Sequence, residues 1–471
     1  MKIEQIYTGC IAHAAYYLES NGEAAIFDPL REVQPYIDRA ANSHAKIKYV
    51  FETHFHADFV SGHLDLAKKT GAQIVYGPTA KPQFEAIVAT DNQTFKVGDY
   101  TVKAIHTPGH TMESTCYLLT DETGKEHGII TGDTLFIGDV GRPDLAQHVI
   151  SELTPQLLAS HLYDSLHSKI MPLSDNLIVY PNHGAGSACG KNMSKETTDT
   201  LGNQKRTNYA LNPSLTREQF MEQLLDGQRN PPAYFPENVL MNIRGYDSFD
   251  EVMHRGLKPL NPETFEAVAN STDALILDTR DPELFAQSFV PNSINIGIDG
   301  NFAMWAGALI PGVKHPIVLI TEPGREGECI TRLSRVGYDN VLGYLEGGFE
   351  SWVQGGRETD KATRISAEEL EKQYSTEAPV IIDIRNESEF AAEHIEGAIN
   401  VPLDYINYNL SSFPKDKPFV IHCAGGYRSM IASSILKARG WEQFSDVKGG
   451  FKAIATTNIP KSNFVCQSKK V

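Results

Sequence analysis

Four short apolar runs in this chain each lead into a ligand-type side chain, the last three on a Gly- or Pro-containing turn, and that pattern constrains the fold more than any other feature. The first run, Ile47 to Phe51, reads as a buried strand and leads into Thr53-His54-Phe55-His56-Ala57-Asp58-Phe59-Val60-Ser61-Gly62-His63. Residues two apart in extended chain point the same way, so His54 and His56 project together. Asp58 is expected at the start of a helix that runs through Lys69 and stops at Gly71. Val102 to Ile105 then precedes His106-Thr107-Pro108-Gly109-His110. Gly128 to Thr131 precedes Gly132-Asp133, and Leu177 to Tyr180 precedes Pro181-Asn182-His183-Gly184. Strands ending this way bring their ligand-type residues to one sheet edge, on loops positioned by a rigid scaffold. Imidazole and carboxylate gathered there are donors for a divalent transition metal. The competing reading of the first stretch is two ordinary histidines and a helix-capping aspartate.

The order His-x-His-x-Asp, a lone His, an Asp and a last His resembles the metallo-β-lactamase superfamily over roughly the first half of the chain. The resemblance implies a four-layered αββα sandwich. Thr131-Gly132-Asp133-Thr134-Leu135-Phe136 running into Gly141-Arg142-Pro143-Asp144 is similar to the persulfide dioxygenase branch, as is Thr107-Pro108-Gly109-His110-Thr111 with Glu113-Ser114. Dinuclear members of the superfamily carry Asp-His where this chain has Asp58-Phe59. The resemblance therefore implies one metal per chain, held by His54, His110 and Asp133, with Asp58 and His183 left as an incomplete second site. Two histidines and one carboxylate with open positions is the ligand set of non-haem Fe(II) oxygenases. Zinc is expected to compete for the same ligands in purified samples. His56 is expected as a further ligand or as a hydrogen-bonder behind the ligands. His183 is expected on the site wall, binding a water or the substrate. Arg142 is a candidate for a substrate carboxylate or sulfonate, or else a structural ion pair. Cys189 lies in Gly184-Ala185-Gly186-Ser187-Ala188-Cys189-Gly190-Lys191, which resembles a segment of dioxygenase–rhodanese fusions. It is read either as a sulfur acceptor or as a small buried residue in a Gly-rich turn.

The chain has 471 residues, enough for about three domains. Hydrophobic residues are 41% and charged residues 21%, a soluble globular balance. The net charge is -17 and no Lys/Arg cluster tracks phosphates, which argues against nucleic acid as a partner. No apolar run reaches a membrane span, and the first seven residues alternate like a strand rather than a signal peptide. The six cysteines (10, 116, 189, 329, 423 and 466) lack paired spacings, as free thiols in a reducing cytoplasm would. Ala12 to Leu18 and Ala24 to Phe27 flank an Asn21-Gly22 hairpin turn. A helix is expected from Thr216 to Leu225. The run Arg229 to Pro236, with three prolines, is read as a loop near the site or a plain connector.

The remainder repeats itself. Leu277-Asp278-Thr279-Arg280 matches Ile382-Asp383-Ile384-Arg385, Phe285 matches Phe390, and Gly347-Gly348-Phe349 matches Gly449-Gly450-Phe451. Each copy alternates strands with helical stretches, as a parallel α/β sheet does. The expected domains are residues 1–250, 253–358 and 361–471, with Ser366 to Glu369 as a capping box opening the last.

In the second copy the strand Pro418 to His422 leads into Cys423-Ala424-Gly425-Gly426-Tyr427-Arg428-Ser429 and then an apolar helix. Glycines let such a loop curl into an anion nest, and the helix N-terminus adds positive potential. Cys423 is thus a candidate thiolate nucleophile and Arg428 a partner for thiosulfate or sulfite. This loop resembles a rhodanese, a family that carries sulfane sulfur on a cysteine. In the first copy Thr321 replaces the thiol and Glu326 replaces the arginine, so that copy resembles an inactive rhodanese-like domain. Together the resemblances imply α/β architecture throughout and oxidation of a small thiol persulfide, glutathione persulfide for example, by O₂ to sulfite at Fe(II). Sulfane-sulfur transfer through Cys423 is coupled to it, in sulfide detoxification. The alternative is a zinc thioester hydrolase of the glyoxalase II type with a sulfur-relay module. The oligomeric state, homo-oligomers included, is left open.

Overall fold

Alternation of side chains along the N-terminal strands builds the first half of the molecule. The computed structural model describes residues 2–145, 153–191, 193–228 and 230–465, so Arg229 and Cys466 lie outside the described residues. In the strand His13–Ser20, Ala14, Tyr16 and Leu18 face one way, and Ala15 and Tyr17 the other. The first set packs with Phe27, Phe51 and Val75 against Val102, Ala104, Tyr117, Leu119 and Ile130 of a second sheet. The second set packs against Val33, Tyr36, Ala40 and Leu66, on or beside the helices Gln34–Asn42 and His63–Thr70. The outer face of the second sheet, through Cys116, Leu118 and Ile129, is covered by the helices Pro155–Ser165 and Arg217–Leu225 through Ala159, Leu162, Phe220 and Leu224. Helix, sheet, sheet and helix are the four expected layers. Each sheet has six strands, and the hairpin turn has Asn21 at φ 44° and Gly22 at φ 77°, the left-handed pair such a turn requires.

Glu23–Phe27, Lys46–Phe51 and Gln73–Tyr76 run parallel in one sheet, and Glu126–Gly132 and Ile178–Pro181 run parallel in the other. Their carboxyl ends deliver Asp28, the His54 loop, Asp133 and His183.

Two expectations need correction. The helix expected from Asp58 begins at His63. Ser61 N–H donates to Asn242 Oδ1 at 2.9 Å and Gly62 N–H to the Pro29 carbonyl at 2.8 Å, so these groups bond to distant chain instead of a helical turn. The proline-rich stretch was expected to contain no helix, yet Phe235–Arg244 is one, with Pro236 in its first turn where a missing N–H does no harm. Ahead of it, Tyr234 Oη donates to the Asp58 carbonyl at 3.3 Å, so this stretch does pack beside the first motif.

The chain divides into two compact units, residues 1–251 with 333–339, and residues 252–332 with 340–471. The second unit holds both repeats. Each has a five-stranded parallel sheet with the same strand order, and Leu277 pairs Ile294 as Ile382 pairs Ile399. Arg280 grips Asp278 and stacks 4.0 Å over Phe349, while Arg385 grips Asp383 and stacks 4.0 Å over Phe451. Both pairs are buried and brace the sheet beneath the loops. Ser366 and Glu369 form the expected reciprocal cap. Among the described residues no helix is long and apolar enough to cross a membrane.

Candidate metal centre and thiol loop

His54, His110 and Asp133 converge so that one ligand atom of each lies within 4.8 Å of the others. Asp133 Oδ2 is 3.4 Å from His110 Nε2 and 4.0 Å from His54 Nε2. Neighbouring groups set both rings. His54 Nδ1 meets Thr53 Oγ1 at 3.0 Å, and His110 Nδ1 donates to the Arg142 carbonyl at 2.8 Å, which turns each Nε2 inward. Gly132 is required here: its φ is +53°, and a Cβ would lie 2.6 Å from the Thr53 side chain. Burial, then the neighbouring histidines, hold His54 well below the usual imidazole range. It is therefore neutral, as a ligand must be. Both Asp133 oxygens are buried without a hydrogen-bond partner among the described residues. A buried carboxylate left this way is costly unless a cation completes it, so the donor set fits a metal ion.

His56 does not join this group. Its Nε2 lies 3.0 Å from Asp28 Oδ1 and 3.4 Å from Glu52 Oε2 in a second buried cluster. Burial alone pulls His56 down, but the two carboxylates outweigh it and hold the ring well above the usual range. Asp28 also accepts from Thr53 N–H at 2.7 Å and Asn182 Nδ2 at 2.8 Å, so it clamps both ligand-bearing strand ends. Asp28, Glu52 and His13 carry no local motif. The one signal for Asp28 and Glu52 is an acid at the end of an apolar strand.

A third group joins Asp58, His183 and Cys189, again within 4.8 Å. His183 Nε2 is 3.4 Å from Asp58 Oδ2 and 3.5 Å from Asp133 Oδ1. Phe59 is fully buried against His13 and His56, at ring distances of 4.2 and 4.3 Å. Burial, then Asp58 and Asp133, push the Cys189 thiol well above its usual range, so as it stands it is a neutral thiol. Arg142 is engaged: Nε and Nη2 donate to Asp144 at 2.6 Å each, the ion-pair alternative raised for this residue.

In the second unit Cys423 ends the strand Phe419–His422 and precedes the helix Tyr427–Ala438. Gly426, at φ +110°, turns its N–H onto Cys423 Sγ at 3.0 Å. Phe451 N–H donates to the Cys423 carbonyl at 2.7 Å, and a Cβ on Gly450 would strike that carbonyl at 2.4 Å. Arg428 forks onto Glu389 at 2.7 Å through both terminal nitrogens. In the other repeat Thr321 Oγ1 contacts Cys329 Sγ at 3.5 Å, and Gly324 N–H donates to the Glu326 carboxylate at 3.0 and 3.1 Å. That loop's Gly324 N–H is thus taken by its own acid. Cys329 is buried in the core, its thiol raised by burial. A cleft of about 580 Å³ remains there, bordered by Arg280, Thr321, Glu322 and Glu350.

Residues 8–183 match the metallo-beta-lactamase superfamily, and residues 261–355 and 366–457 each match the rhodanese-like domain. A hydroxyacylglutathione hydrolase from Dictyostelium discoideum is 31% identical over 43% of this chain and 69% of its own length. One from Arabidopsis thaliana, named cytoplasmic, is 30% identical over 39% of this chain and 74% of its own. The chain spans 66% of a probable hydroxyacylglutathione hydrolase from Schizosaccharomyces pombe. A metallo-beta-lactamase structure from Staphylococcus aureus superposes with a TM-score of 0.64 at 31% identity, covering 73% of this chain and 98% of that one. The chain belongs to the metallo-beta-lactamase superfamily, and it continues into two rhodanese-like domains.

Proposed function

We propose that the first unit oxidises the outer sulfur of a small thiol persulfide with O₂ at one Fe(II) per chain, held by His54, His110 and Asp133. The observation that carries this reading is the convergence of two histidines and one carboxylate, His54, His110 and Asp133, in a chain that has Phe59 where dinuclear members have a histidine. The reaction is R–SSH + O₂ + H₂O → R–SH + SO₃²⁻ + 2 H⁺. The iron would supply the redox chemistry, which Zn(II) lacks. His110 and His54 are oriented by the Arg142 carbonyl and Thr53, and burial of the whole cluster excludes bulk water. Cys189, next to Asp58 and His183, would meet a sulfur atom from the substrate.

The second unit, on this reading, moves sulfane sulfur through Cys423. With thiosulfate, the Cys423 thiolate takes the outer sulfur, the donor S–S bond breaks, and sulfite leaves. The reverse makes thiosulfate from sulfite. Sulfide detoxification is the process such a pairing serves. The relatives' names point to a glutathione-type thiol as substrate. The free thiols among the described cysteines suit a reducing compartment such as the cytoplasm.

A second reading, zinc-dependent thioester hydrolysis, draws on those same relatives and on the Asp58–His183–Cys189 group as further ligands. Anaerobic reconstitution with Fe(II) or Zn(II) separates the two. Oxygen uptake with a thiol persulfide, dependent on iron and yielding sulfite, is expected. Zinc found in a purified sample decides nothing, because Zn²⁺ outcompetes Fe²⁺ for such donors. No uptake with iron, together with thioester cleavage by the zinc form, would promote the hydrolase.

A further inference from the structure

The cation of the thiol loop already has a partner. Arg428 Nη1 and Nη2 donate in parallel to the two oxygens of Glu389, both at 2.7 Å. Such a fork is the geometry by which an arginine would hold an oxyanion. Glu389 is fixed in place by a second task, closing the capping box of the helix Glu387–Ala392. Its N–H donates to Asn386 Oδ1 at 2.8 Å and its Oε2 accepts from Asn386 N–H at 3.2 Å. The repeat offers an internal comparison. Where Phe285 matches Phe390, Leu284 stands in place of Glu389, and Glu326 stands in place of Arg428. The acid–base pair occurs only in the copy that has the thiol.

We propose that Glu389 is a positioning residue that sets the anion affinity of Arg428, so that a free oxyanion donor must displace a carboxylate to reach Cys423. Thiosulfate carries its oxyanion on the sulfur that leaves as sulfite, whereas the leaving sulfur of a thiol persulfide bears none and meets no such competition at Arg428. The pair therefore selects persulfide over thiosulfate as the donor. In that loading step the Cys423 thiolate attacks the outer sulfur of R–S–SH. The donor S–S bond breaks, a new S–S bond forms on Cys423, and R–S⁻ leaves with the electron pair. The inference rests on the sulfur-transfer reading and names the donor class for it.

The test is Glu389→Gln in the full-length chain, since glutamine also serves at that capping position. The KM for thiosulfate should fall about 3- to 10-fold, the range of a partly exposed ion pair, with kcat within about twofold. Adding Arg428→Ala should cancel the gain. An unchanged or raised KM in the presence of normal kcat would overturn the proposal. A second measurement needs no turnover. The alkylation rate of Cys423 by anionic iodoacetate, relative to neutral iodoacetamide, should rise by about the same factor, read on the Cys423 peptide by mass spectrometry. An unchanged ratio overturns the role of Glu389. A raised ratio in a protein that transfers no sulfur keeps that role and rejects the sulfur-transfer reading instead.

Discussion

The hydroxyl of Tyr427, the first residue of the helix behind the Cys423 loop, donates to the carbonyl of Gly297 in the other repeat at 2.7 Å. Asn295 N–H adds a bond to Ser434 Oγ on the same helix at 3.0 Å. The repeat whose loop lacks a thiol therefore touches the element that sets the reactive loop.

Two substitutions separate chemistry from support in that repeat. Thr321→Ala should leave thiosulfate sulfurtransferase turnover within about twofold, because no donor or nucleophile is lost. Gly300→Ala should lower it about 10-fold, since the new Cβ would sit 2.5 Å from the Tyr427 ring and shift the loop. The assay is steady-state transfer to cyanide. A large loss in the Thr321 variant with the fold intact would mean that its loop takes part directly.

Cys423→Ser should abolish sulfur transfer, by about 10³-fold or more, while the metal content of the first unit stays unchanged. Metal analysis and the transfer assay on one preparation check both halves. Retained transfer would move the carrier role to another of the free thiols.

His63 predicts an acid limit for the first unit. It is fully buried between Phe84 and Tyr76, with Glu52 Oε1 3.6 Å from its Nδ1 and no hydrogen bond to either ring nitrogen among the described residues. Burial, then the charges of His56 and Arg31, push its pKa down to about 3. The unfolded chain takes up this proton near 6.5 and the native chain only near 3. Between those values the unfolded state holds the extra proton, so stability falls as pH drops, by about 1.4 kcal/mol per unit. The contribution is constant above pH 6.5. His63→Gln should flatten that slope by one proton. Exchange of the core amides of Ala14 to Leu18 reports it. Trp305, Trp352 and Trp441 all lie in the second unit, so tryptophan fluorescence serves as the control.

The layers, the repeat and the four strand-end motifs were legible because each is written locally. Period-two alternation marks Ala14, Tyr16 and Leu18, and a Gly or Pro marks the turn after each of the three later ligand strands. The convergence of His54, His110 and Asp133 could be expected from their places at strand ends. Asp28 and Glu52 could not be assigned roles, because an acid acquires one only when a distant strand brings it a partner. The start of the helix at His63 was missed for the same reason: the N–H groups of Ser61 and Gly62 find Asn242 and Pro29, far along the chain.

By itself, the sequence determined the kinds of group available: imidazoles and carboxylates at sheet ends, one thiol in a glycine loop, and a second loop without it. Those choices rest on short-range preferences of backbone and side chain. Tertiary structure decided which partner each of the other groups takes. It turned His56 toward Asp28 and away from His54's cluster, brought Asn182 onto Asp28, and set Glu389 across the fork of Arg428. In a buried site each charged or hydrogen-bonding atom takes whatever partner the packed strands bring within about 3 Å, and for Asp28, His56 and Glu389 that partner is far along the chain.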